Sequence, residues 1–126
     1  YKRQMFVLMI EPGKVPRRLE LNHRLEEMQK VVGGSIQILY PFGEPVALVC
    51  SEEGKLLGLP LNRALRDADG RIYDIVCGAF FLCGAPPDSD TLESLTEEQA
   101  ARYEKRFARP ELFLNIGGRI LCLPDQ

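Results

Sequence analysis

The chain has 126 residues, 45% hydrophobic and 27% charged, which suits one globular domain and not a disordered segment. Lys and Arg number 16 against 18 Asp and Glu, a net charge of −2, which excludes the strong basic excess of a dedicated nucleic-acid binder. No apolar run approaches the length of a membrane-spanning helix, so none is expected.

Met5 to Ile10 is an unbroken apolar run that ends at Pro12-Gly13. A half-buried strand would alternate, so this run predicts a strand buried on both faces. Val15 to Leu21 does alternate, and Pro16 has no N–H for a ladder, which places this strand at an edge. Asn22 suits a helix N-cap. Leu25, Met28 and Val32 recur at helical spacing, and Gly33-Gly34 supplies a left-handed end, so a helix is predicted over residues 23–32. Ser35–Tyr40 and Val46–Ser51 read as a hairpin with a proline-stiffened loop, and Glu52 to Lys55 as a turn.

Pro60 then precedes Asn62 to Arg66, read as one helical turn capped by Asn62 with Arg63 on the surface. Asp67-Ala68-Asp69-Gly70 follows with turn chemistry and too few acidic positions for a calcium loop. Ile72–Cys83 is a long β run broken at Gly78. Thr96-Glu97-Glu98-Gln99 is a capping box, with Leu95 placed to staple onto Ala100. Ala100, Tyr103 and Phe107 form the apolar stripe of that helix, and Pro110 ends it. Gly117-Gly118 between two apolar runs predicts a type I′ hairpin. The order β-β-α-β-β-β-α-β-β predicts one α+β domain over residues 1–126, a mostly antiparallel sheet with two main helices on one face.

The four cysteines are 27, 6 and 39 residues apart and lie in apolar runs, so they read as buried, reduced thiols and not as metal ligands. His23, the one histidine, reads as a solvated first-turn residue. Glu52 and Glu53 read as solvated turn residues. No nucleophile-elbow, Walker, zincin or dinucleotide pattern occurs, so no catalytic residue, metal or cofactor is expected. The short N-terminal apolar run has no cleavage-site pattern after it, which leads to an expected cytoplasmic location.

Leu8-x-Ile10-Glu11-Pro12-Gly13, Val32-Gly33-Gly34-x-Ile36, Glu52-Glu53-Gly54-Lys55, Leu59-Pro60-x-Asn62-Arg63-Ala64-Leu65, Ile72-Tyr73-Asp74-Ile75-x-x-Gly78-x-Phe80-Phe81 and Phe107-x-x-Pro110-Glu111 form a combination. That combination resembles the bacterial and phage family called domain of unknown function 3846. The resemblance covers about residues 6–113 and leaves the C-terminal hairpin outside. It implies a setting on phages and conjugative elements of Gram-positive bacteria, and it brings no catalytic residues with it.

The expected function is that of a small non-enzymatic accessory protein that binds a protein partner. The alternative is a small-ligand or enzymatic site around Asn62, Arg63, Tyr73 and Asp74, on a loop region held between strands. A third reading is weak nucleic-acid binding through Arg102, Lys105, Arg106 and Arg109, which line one helix face.

Overall fold

A computed structural model describes residues 4–124. In chain order they form β1 (Gln4–Ile10), β2 (Arg17–Asn22), α1 (Leu25–Val32), β3 (Ile36–Leu39), β4 (Val46–Ser51) and β5 (Leu61–Arg66). β6 (Ile72–Cys77), β7 (Phe80–Gly84), α2 (Glu97–Arg106), β8 (Glu111–Ile116) and β9 (Arg119–Pro124) follow. The α+β class and the antiparallel pairing are as the sequence predicts.

Five strands make one antiparallel sheet in the order β2-β1-β7-β4-β3. Its register aligns Leu8, Leu82 and Leu48 in one row and Met9, Phe81 and Val49 in the next. Side chains alternate across a strand, so these rows face opposite sides. Leu8, Leu82 and Leu48 belong to a core completed by Ala100, Tyr103 and Phe107 of α2. Met9, Phe81 and Val49 belong to a second core completed by Met28 and Val32 of α1. The two helices therefore cover opposite faces, not the single face expected. The reason lies in the strands: β4 and β7 are buried at every residue, and a sheet apolar on both sides needs a layer on each. β1 is buried on both faces from Val7 onward, while Phe6 stands exposed.

The edge strand begins at Arg17, just after Pro16, so no ladder bond is lost to the proline. Arg18 projects from this edge to α2 and donates to Glu97 at 2.6 Å and Glu104 at 2.7 Å. Asn22 is not a helix cap. It is the last ladder residue of β2, opposite Gln4, and α1 starts after Arg24 with no side-chain cap bond. Gly33 ends α1 in the left-handed region, as expected. His23 is not a solvated first-turn residue: its Nε2 lies 2.8 Å from the Leu92 carbonyl and ties the start of α1 to the segment before α2.

Residues 61–66 are a strand, not a helical turn. Arg63 pairs with Val76, Ala64 with Ile75 and Leu65 with Asp74. Asp67 closes this ribbon, its Oδ1 accepting the N–H groups of Asp69 and Arg71, both at 2.9 Å. The β run from Ile72 to Cys83 is divided at Gly78, and β6 and β7 belong to different sheets. The β5–β6 ribbon is thus an excursion between two neighbours of the main sheet. Its Leu65 and Val76 join α2 over the Leu8 face.

α2 carries the predicted capping box: Gln99 N–H donates to Thr96 Oγ1 and Thr96 N–H to Gln99 Oε1, both at 3.1 Å. The segment leading into it is held by Gly84, whose N–H and carbonyl exchange 2.8 Å bonds with Glu93. The approach is close enough that a Cβ at Gly84 would fall 2.6 Å from the Ser94 carbonyl oxygen, a backbone atom. Gly84→Ala is expected to lower stability by about 2 kcal/mol, because backbone must move to admit one methyl group. Urea denaturation with an unchanged slope is the measurement, and a midpoint equal to wild type would contradict this packing.

Candidate functional site

Asn62 and Arg63, the centre of the alternative reading, are both buried. The Asn62 amide donates to the carbonyls of Ile10 and Gly78, each at 2.9 Å. Its Oδ1 accepts from Arg63 Nη1 at 2.8 Å. Arg63 Nη2 donates to the carbonyls of Lys14 at 2.6 Å and Phe107 at 3.2 Å. The surface placement of Arg63 is therefore corrected. Its guanidinium is 1% exposed, and carbonyls from three segments take the place of water. Among the described residues no carboxylate bonds it, and burial pulls its pKa below the usual arginine value, opposed by the charge of Glu111.

Tyr73 and Asp74 do not join this pair. Tyr73 is exposed. Asp74 pairs with Lys55 at 2.5 Å and accepts the Ile75 N–H. Both line a separate cavity of about 520 Å³ with Lys55, Leu59 and Ile120. The basic face of α2 is also divided. Arg102 pairs with Glu44 at 3.1 Å, and Arg106 lies over the Phe42 ring at 4.9 Å.

Cys50, Cys77 and Cys83 are buried and Cys122 is half-buried. Burial pushes the thiol of Cys50 up to about 11 and that of Cys83 up to about 12. A thiol so held is nearly all protonated at neutral pH and is a poor nucleophile. Among the described residues no three His, Cys, Asp or Glu side chains are grouped so as to hold a metal ion.

A surface that sequence reasoning left without a role is the β8–β9 hairpin. Gly117 and Gly118 take φ of +59° and +83°, which the two central residues of a type I′ turn require. The pairing sets Leu112 opposite Leu123, Leu114 opposite Leu121 and Ile116 opposite Arg119. Paired residues share a face, so Leu112, Leu114, Ile116, Leu121 and Leu123 stand together. All five are exposed, at 38–59%. The other face is anchored to β5. Glu111 accepts the Ala64 N–H at 2.5 Å and pairs with Arg66 at 2.6 Å, and Arg66 also donates to Cys122 Sγ at 3.5 Å. The hairpin is thus tied down by polar bonds on one side and leaves a five-residue aliphatic face on the other. The signal was legible: odd positions from Leu121 and even ones from Leu112 are aliphatic on both arms of a Gly-Gly turn.

Fold and surface together define a small three-layer α+β domain with an added apolar hairpin. The chain belongs to the family described as domain of unknown function (DUF3846), whose profile matches residues 5–108. The hairpin follows the matched region, as the sequence resemblance implies. No curated protein and no solved structure matches the chain.

Arg63→Ala is expected to cost about 3 kcal/mol or more, because it opens a void and leaves buried carbonyls unpaired. Asn62→Ala is expected to cost about 2–4 kcal/mol on the same ground. Denaturant melts of both variants check this, and a near-neutral result for either would place its side chain in solvent. For the thiols, iodoacetamide at neutral pH should leave Cys50 and Cys83 unmodified until the chain unfolds. Their ordinary value of 9.0 applies to the unfolded chain, which sheds these protons first as pH rises. Stability contributed by the buried neutral thiols is therefore present below pH 9 and falls as pH climbs toward about 11.

Proposed function

We propose that the protein is a non-enzymatic interaction domain that acts by binding protein, and that the first partner is a second copy of itself. The observation that carries this reading is the outer face of the hairpin, five exposed aliphatic side chains from two paired strands. A contiguous apolar patch on a soluble domain marks an interaction surface. Among the described residues the hairpin is a sheet of two strands, which gains from a cover on that face.

A second copy suits the face for a reason of charge. Its one charged residue is Arg119, at the turn end opposite Ile116. A two-fold axis through the Leu114–Leu121 pair sets leucine against leucine and carries the two Arg119 side chains to opposite ends. No charge is then desolvated at the centre, and the contact is self-complementary.

Two other readings have less support. Both Asn62 amide hydrogens are already donated to backbone, so the pair offers a ligand little from that residue. The basic face of α2 gives Arg102 to Glu44, which weakens it as a nucleic-acid stripe. The setting belongs to the same proposal: a cytoplasmic accessory protein of a bacterial phage or conjugative element. Its support is the family resemblance drawn from the sequence. No helix among the described residues is long and apolar enough to cross a membrane.

Light scattering on a size-exclusion column should show a dimer at micromolar concentration. Leu114→Asp and Leu121→Asp should each give a monomer with the circular dichroism of the wild type. A wild-type monomer, or a dimer untouched by either variant, overturns the proposal.

A further inference from the structure

A cavity of about 340 Å³ lies between β5 and the end of α2. Four arginines line it, Arg63, Arg66, Arg106 and Arg109, together with the two carboxylates of Asp67 and Glu111. The formal excess is two positive charges. Both carboxylates are already engaged. Asp67 holds the backbone of its own turn, and Glu111 holds Arg66 and the Ala64 N–H.

The remaining three arginines have no carboxylate bonded to them among the described residues. Arg63 is fixed in place, 99% buried by its 1% exposure, and its Nε–H has no hydrogen-bond partner among the described residues. An unmatched buried donor on a buried cation is costly and calls for compensation by negative charge. The Arg106 guanidinium carbon lies 4.9 Å from the centre of the Phe42 ring and 5.7 Å from that of Phe107. Ring faces orient a guanidinium and leave the N–H groups at its edge free. Arg109 is exposed. The carbonyl of Phe107, the residue that caps α2, accepts from Arg63 Nη2.

We propose that this cavity binds a small dianionic phosphate group, with Arg106 and Arg109 as its entering contacts and Arg63 as the fixed charge behind them. Two excess positive charges match a dianion, and guanidinium forks match phosphate oxygens. The volume, at the low end for ligand sites, admits inorganic phosphate or a small phosphate monoester and not a nucleic-acid strand. This site is separate from the hairpin face, and either can fail without the other.

Calorimetric titration of the full chain with inorganic phosphate and with glycerol phosphate tests it, at constant ionic strength set by chloride. Saturable binding of at least one is expected. Tighter binding of glycerol phosphate would identify a monoester, and of inorganic phosphate the free ion. Each of Arg106→Gln and Arg109→Gln should weaken binding about tenfold with the fold retained, the loss of one charge-assisted contact. Arg106→Lys should restore only part, since an ammonium has no fork. No binding of either phosphate, binding unchanged in both glutamine variants, or equal binding of tricarballylate would overturn the assignment. Binding of single-stranded oligonucleotide in preference to both phosphates would also overturn it.

Discussion

A guanidinium buried at 1% exposure must find acceptors inside the protein, and around Arg63 the chain is arranged to supply them. The carbonyls of Lys14, Asn62 and Phe107 converge on its two terminal nitrogens. Phe107 O lies at the end of α2, where the helix dipole favours a cation. The neighbouring Asn62 amide takes Ile10 and Gly78. Two consecutive residues thus join the end of β1, the turn after it, the β6–β7 junction and the end of α2. Losing one partner would strand the others in a dry interior, which makes this network cooperative.

The layering follows from the central strands and depends on that junction. β1, β4 and β7 are apolar toward both sides, so each side must be covered. α1 covers one face with Met28 and Val32, helped by Leu21 and the partly buried Leu19 of the edge strand. α2 offers Ala100 and Tyr103, with Phe107 just past its end, too narrow a stripe for the opposite face. Leu65 and Val76 of the ribbon extend that cover, and Phe42 packs its ring 4.7 Å from Tyr103. Arg63 is the connection that holds the ribbon and the helix end side by side over the sheet. Among the described residues the hairpin adds none to either core. It hangs from β5 through Glu111 and Arg66, so its outer face is left free of the fold.

Sequence and structure part company at particular residues. Thr96 to Gln99 was readable because a capping box closes within four residues. Gly117-Gly118 was readable because a two-residue turn specifies its own φ angles. Asn62-Arg63 reads as a helix start because polar residues follow a proline there, and nothing local announces burial. Their partners lie as far away as Ile10, 52 positions back, and Phe107, 44 positions on. One local signal did point to a strand: Pro60, a short run, the Asp67–Gly70 turn and the Ile72 run have the form of a hairpin. Asn22 and His23 fail in the same manner, their roles set by Gln4 across the sheet and by Leu92 in a distant segment.

What the sequence by itself determined is whatever depends on near neighbours: the α+β class, the strands apolar on both faces, the edge strand after Pro16, the cap and stop of α2, and the C-terminal turn. Periodicity and turn chemistry act over a few residues, so they survive without knowledge of the fold. Tertiary structure alone decided which face each helix covers, that Arg63 is an interior charge, that Tyr73 and Asp74 stand apart from it, and that Arg63, Arg66, Arg106 and Arg109 meet at one cavity. Those outcomes turn on strand order and on acceptors brought from 44 to 52 residues away. A buried polar group is settled by whichever distant segment arrives to satisfy it, and no local pattern encodes that arrival.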